Sequence, residues 1–256
     1  IYASQKKLSK IGIQMTYVTP EPETVNKFLE EYTFERIEEW FNKLITGFKR
    51  WTDYTFDERL KRTESIRELK FPYEYREGQK NLCVSVYRAI EDNTNLYIQA
   101  PTGVGKTLST VFPAVQALGQ QMADKIFYLT SKTITRTVAE DTYAILRDNG
   151  LHMRTVTLTA KDKICPLEER NCNPVACPYA KGHFDRINDA VYDIITSQMV
   201  IGRDNVMEYA NRHNVCPFEM SLDVSYWCDG IICDYNYVFD PDASLKRYFG
   251  NGAKGD

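Results

Sequence analysis

The 256-residue sequence predicts an α/β fold, a parallel sheet with interleaved helices built around a phosphate-binding loop, and three observations carry that prediction. The apolar run Leu96-Tyr97-Ile98 leads into Ala100-Pro101-Thr102-Gly103-Val104-Gly105-Lys106-Thr107 and then into residues that can continue as a helix. That is the strand, glycine loop, helix order of a phosphate cradle. Downstream, Lys125 to Thr130 (KIFYLT) and Arg154 to Thr159 read as buried strands on either side of a helical pattern from Ile134 to Leu146. Alternation of this kind implies a parallel sheet with ligands at the strands' carboxyl ends. A four-cysteine segment then interrupts the alternation before an apolar strand resumes at Ile231.

Composition narrows the class. An apolar content of 43% suits a globular chain, and no apolar run approaches the roughly 20 residues a bilayer-spanning helix requires. No charged-then-apolar leader opens the sequence, so a reducing cytoplasm is expected, where seven cysteines serve as ligands or core residues rather than disulfides. A net charge of −3 gives no global field for nucleic acid, so any such site is a local groove. The start at Ile1 and the stop at Gly255-Asp256 both read as cuts through a longer protein.

Taken in order, Tyr2 to Lys10 reads as a helix end and Ile11, Ile13, Met15 and Tyr17 as an alternating strand. Residues 1–19 are too few for a domain and are expected to be the remnant of an upstream one. From Thr19 the pattern changes: Phe34, Ile37, Phe41, Leu44, Phe48 and Trp51, widened by Trp40 and Ile45, fall at three- and four-residue steps on one helical face. A second, more charged helix is expected from Phe56 to Leu69. Residues 20–70 thus read as a helical connector whose aromatic stripe packs on its neighbours.

Phe71-Pro72-Tyr73 breaks the helix and opens the nucleotide-binding region expected over 71–159. Tyr75-Arg76-Glu77-Gly78-Gln79 precedes the loop by about twenty residues. The planar amide of Gln79 offers donors and an acceptor together, the pairing that reads an adenine edge, although a polar residue opening a surface helix would look the same. In the loop, Gly103 and Gly105 let successive N–H groups face phosphate beside a helix N-terminus. Lys106 is expected at the β/γ-phosphates and Thr107 on Mg²⁺, with Ala100, Thr102 and Val104 completing the cradle for ATP. After the KIFYLT strand, Thr130, Ser131 and Thr133, with Lys132 among them, stand where a sheet's ligands bind, and contact with a phosphate backbone is expected there. Helix capping by serine and threonine is an alternative that does not exclude it.

The interrupting segment, residues 160–217, carries Lys161-Asp162-Lys163-Ile164-Cys165-Pro166, then Cys172, Cys177 and Cys216. Four thiolates can close a tetrahedral shell. The gaps of six, four and thirty-eight residues contain no C-x-x-C, so spacing favours neither zinc nor iron–sulfur. Cys83, Cys228 and Cys233 lie in apolar surroundings and read as core.

The order of these motifs, from Tyr75-Arg76 with Gln79 through APTGVGKT, KDKIC, Cys-Asn-Pro, Cys-Pro-Tyr and Cys-Pro-Phe to Ile231-Ile232-Cys233-Asp234-Tyr235-Asn236-Tyr237-Val238-Phe239-Asp240-Pro241, resembles the iron–sulfur superfamily 2 DNA helicases of the XPD and DinG type. The resemblance spans about Phe71 to Phe249. It implies a RecA-like motor half, residues 71–159 and 218–256, interrupted by an iron–sulfur insertion. It implies that Cys165, Cys172, Cys177 and Cys216 ligate one [4Fe-4S] cluster, with Lys161 near both cluster and DNA path. It also implies ATP and Mg²⁺ as cofactors, single-stranded or forked DNA as partner, a monomer, and a place in DNA repair. Ala100, where the motif usually has glycine, is a variant associated with such motors. Residues 1–19 resemble the closing helix and strand of a PD-(D/E)xK nuclease-like domain, but its acidic residues and E-x-K are absent and no nuclease activity is assigned. No Asp-Glu-Ala-His occurs in the sequence, so the chain reads as the front part of a 5′ to 3′ ATP-driven translocase, inactive alone. The alternative is a non-catalytic nucleic-acid-binding or scaffold protein with a P-loop fold and a structural zinc.

Overall fold

The structure, a computed structural model, describes residues 1–20, 24–101, 103–131 and 133–250. The chain divides into two compact units, Ile1–Glu58 and Arg59–Asp256.

In the first unit a short helix α1 (Tyr2–Gln5) precedes two long strands, β1 (Lys10–Thr19) and β2 (Thr24–Thr33), which pair antiparallel from Lys10 opposite Thr33 to Thr19 opposite Thr24. The second strand was not expected, because its mixed polar sequence lacks strict alternation. Pairing is favoured by large side chains that meet across the ladder, such as the edge-to-face rings of Tyr17 and Phe28 with centroids 5.7 Å apart. Helix α2 (Phe34–Glu68) follows as one continuous 35-residue element rather than two. The polar stretch near Thr52 does not break it. The Thr52 and Thr55 hydroxyls donate back to the carbonyls of Lys49 and Trp51, at 2.9 and 2.7 Å, and so are absorbed into the helix. The aromatic stripe is also corrected: Trp40, Leu44 and Phe48 are exposed, Phe48 at 65%, so within this unit the stripe covers no core.

The second unit holds the end of α2 and then α3 (Gln79–Glu91), α4 (Lys106–Gly119), β3 (Ile126–Thr130), α5 (Thr133–Asp148) and β4 (Thr155–Thr157). There follow α6 (Lys161–Ile164), α7 (His183–Ser197), β5 (Val200–Ile201), α8 (Arg203–His213), α9 (Pro217–Ser225), β6 (Gly230–Asp234), and the short turns α10 (Asn236–Phe239) and α11 (Lys246–Phe249). The four strands form a parallel sheet in the order β3-β6-β4-β5. The apolar strand β6 lies inside it, with Ile231, Ile232 and Cys233 buried. Such a near-continuous apolar run is what a strand covered on both faces requires.

The core joins α2's last turns, α4 and α5 to the sheet through Ile66, Leu69, Val111, Val115, Leu118, Tyr143, Leu146 and Ile232. At Gly119 the approach is so close that a Cβ would stand 2.4 Å from the Ile66 side chain. Cys83, Cys228 and Cys233 are buried, as core residues should be, and burial pushes the Cys228 and Cys233 thiols up to about 12.

Two expectations change. Leu96-Tyr97-Ile98 forms no strand, and Tyr97 is 93% exposed. An extended run needs a neighbouring ladder for its N–H and C=O groups, and among the described residues none pairs with it. Residues 160–217 also do not stand apart from the sheet: β5 arises inside that segment and pairs with β4, Thr155 opposite Val200 and Val156 opposite Ile201.

Candidate nucleotide site and cysteine cavity

The phosphate loop is set by its glycines. Gly103 and Gly105 adopt φ of 85° and 71°, the left-handed region that L side chains avoid, and Gly105 is the N-cap of α4. Its lack of a side chain is needed twice over, because a Cβ there would lie 2.8 Å from the Gln79 amide nitrogen. Fourteen residues of α4 follow, so the helix presents free N–H groups and its positive end at the loop.

Three side chains hold this loop. Lys106 folds its ammonium back and donates to the carbonyls of Ala100 at 3.0 Å and Pro101 at 2.8 Å. The Arg76 guanidinium donates to the Gly103 carbonyl. Gln79, only 5% exposed, accepts from the Arg76 N–H at 3.0 Å and donates to the Val104 carbonyl at 3.2 Å. The glutamine expected at an adenine edge therefore spends part of its amide on the loop, keeping one donor hydrogen and one acceptor lone pair. Thr107 lies at the start of α4 with its hydroxyl 3.5 Å from that of Tyr128 on β3. Thr102 lies outside the described residues. The sequence gives Arg76 no role of its own, and its signal is its place three residues before Gln79.

At the carboxyl edge of the sheet the phosphate-contact set divides. Thr130 is 5% exposed, since it closes β3 opposite Asp234 of β6, which makes its side chain a poor phosphate ligand; Ser131 is exposed. Lys132 lies outside the described residues, and Thr133 opens α5. The chain leaves this same edge after β4 and enters α6, bringing the cysteine segment to the side where a parallel sheet binds its ligands.

Cys165, Cys172, Cys177 and Cys216 all line one cavity of about 340 Å³. Lys161 lines it too, its ammonium 5.3 Å above the centre of the Phe218 ring. Burial pushes the Cys216 thiol above its ordinary value. A zinc ion would need its sulfurs about 3.8 Å apart, from four bonds of about 2.3 Å in a tetrahedron. Among the described residues no three His, Cys, Asp or Glu groups gather closely enough to hold a single ion. The four cysteines therefore line one cavity without gathering into a single-ion site.

His183 also lines the cavity, and sequence reasoning passed it over. One of three histidines, six residues beyond Cys177, it carried no spacing signal of its own.

Comparison with known proteins places these features. The DEAD/DEAH box helicase family model matches residues 78–174, and the DEAD_2 model matches 134–248. Both are models of helicase domains, and between them they match residues 78–248. A probable ATP-dependent helicase of Methanocaldococcus jannaschii is 31% identical to this chain over 184 residues, covering 70% of it and 27% of that protein. Homologues described as regulator of telomere elongation helicase 1 are 21% identical over 230 residues in Anopheles gambiae and 22% over 224 residues in Caenorhabditis elegans. They cover 68% and 70% of the chain, and 23% and 22% of those proteins. The chain thus spans about a quarter of the length of these relatives. Among solved structures, an XPD helicase aligns with TM-score 0.47 at 19% identity over 68% of this chain and 30% of that one. A truncated XPD aligns at 0.46 and 18% over 66% and 47%. Among the described residues no helix is long and apolar enough to cross a membrane.

Proposed function

We propose that the protein to which this chain belongs is an ATP-dependent DNA helicase that moves 5′ to 3′ on single-stranded or forked DNA, and that residues 71–159 and 218–256 form the front half of its first motor domain. The observation that carries the reading is the convergence on one loop of the α4 N-terminus, Lys106, Thr107 and Gln79. Incoming phosphates offer Lys106 stronger acceptors than the two carbonyls it now holds, because a charged acceptor roughly doubles the strength of a hydrogen bond. The Thr107 hydroxyl would then ligate Mg²⁺ beside them, and Gln79, through Val104, joins the base-side turn to the phosphate loop.

Residues 160–217 form the iron–sulfur segment in this reading, with Cys165, Cys172, Cys177 and Cys216 holding a [4Fe-4S] cluster. When bound, the cluster supplies a redox-active cross-link among the four thiolates. Ser131, Lys132, Arg136, Lys161 and Lys163 supply local positive charge and hydrogen bonds to a DNA backbone on a chain whose net charge is −3. The test is strand displacement by the full-length protein on duplexes with 5′ or 3′ single-stranded tails, with and without ATP. ATP-dependent displacement of the 5′-tailed substrate is expected; displacement confined to the 3′-tailed one overturns the polarity, and displacement of neither overturns the helicase reading.

A further inference from the structure

The four cysteines do not reach their cavity by equal routes. Cys165, Cys172 and Cys177 arrive within one short loop, whereas Cys216 returns after thirty-eight intervening residues, past α7, β5 and α8. The longer closure carries the greater entropic penalty, so Cys216 is the ligand that most needs external support.

The first turn of α7 provides it. Arg186 donates from Nε to the His213 carbonyl at 3.1 Å and from Nη2 to the carbonyls of Asn214 and Lys181, each at 2.7 Å. His183, the first residue of α7, sits 5% exposed behind left-handed Gly182. Its Nδ1 accepts the backbone N–H of Cys216 at 3.2 Å. Cys216 is the N-cap of α9, with Pro217 following, so the helix offers that N–H no acceptor. A ring nitrogen that accepts carries no proton, so the neutral imidazole holds its hydrogen on Nε2.

We infer that His183 is a positioning residue for the group held by the four cysteines, fixing the Cys216 main chain through Nδ1 and offering Nε2–H to the cavity as a donor that raises the group's reduction potential. The inference rests on the iron–sulfur reading of the cavity. A donor beside cluster sulfur raises the potential because its positive end stabilises the extra negative charge of the reduced state.

Two substitutions separate the nitrogens. His183→Asn keeps an acceptor near the Nδ1 position and loses the Nε2 donor. His183→Phe keeps ring volume and loses both. The full-length protein and both variants are purified without oxygen, then compared in iron and sulfide per chain, in the rate of iron loss to a chelator, and in midpoint potential from a spectroscopic redox titration. His183→Asn is expected to hold wild-type iron with a midpoint shifted to lower potential. His183→Phe is expected to lose iron several-fold faster, with the same downward shift in what remains. A His183→Asn midpoint equal to wild type, or a His183→Phe that loses iron no faster, overturns the inference. Wild-type protein free of iron and sulfide sinks the cluster reading itself, and this inference with it.

Discussion

Lys106 is exposed and its ammonium donates to two loop carbonyls, which makes its substitution informative. Lys106→Ala removes a charge aimed at the phosphate site and no core contact, so the full-length protein should melt within about 0.5 kcal/mol of wild type, the usual range for surface changes. Its DNA-stimulated ATPase should fall to background. Undiminished turnover would refute the assignment of the loop. The cysteines divide just as sharply. Serine nearly matches cysteine in size but lacks the soft thiolate that iron prefers. Replacing Cys165, Cys172, Cys177 or Cys216 by serine should lower iron and sulfide content. Replacing the buried Cys83, Cys228 or Cys233 should leave metal content unchanged and cost about 1 to 3 kcal/mol for a poorly bonded buried hydroxyl. A Cys216→Ser protein with a full cluster, or a Cys233→Ser protein without one, would show that the ligand set is wrong.

Among elements, the pairing of α7 with α8 carries a pH dependence whose sign is fixed. Asp193 on α7 meets His213 at 2.8 Å and Arg212 at 3.1 Å, both on α8. Burial alone would raise its carboxyl, but hydrogen bonds and charge from those two partners outweigh it and hold the carboxyl below the ordinary 3.8. A folded-state value below the unfolded one adds stability above the unfolded pKa, and that stability is lost as the pH falls through the folded value. Thermal melts below about pH 4 should therefore fall more steeply for wild type than for Asp193→Asn; parallel curves would show that the ion pairs contribute nothing. The elements also show what a sequence can and cannot announce. The KIFYLT strand, β6 and the helix after the phosphate loop were legible because apolar runs and glycines act locally. Leu96-Tyr97-Ile98 failed as a strand because a ladder needs a partner, which no property of three apolar residues supplies. The β2 strand was missed for the converse reason: its partner β1 gives it order that its own pattern does not declare. Of the site residues, Lys106 and the cysteines could be read from motif and composition, whereas Arg76 and His183 act through single contacts with Gly103 and Cys216 that only the folded chain brings together.

For the molecule as a whole, the 256-residue chain should bind adenine nucleotides weakly and turn over almost none, since its sequence contains no Asp-Glu-Ala-His to hold Mg²⁺ from the far side of the phosphates. Calorimetry beside a phosphate-release assay checks this, and robust hydrolysis would mean that its catalytic groups lie elsewhere. The two-residue strand β5 has a consequence for anyone who would treat the cysteine segment as a removable module. Because Val200 and Ile201 border β4, excising residues 160–217 strips the sheet of one margin and bares the main-chain groups of Thr155 and Val156. An uncovered margin is a template for foreign chains. Such a truncated protein should come out as aggregate, while the four-serine variant, which keeps the margin and loses only the four thiols, should stay dispersed.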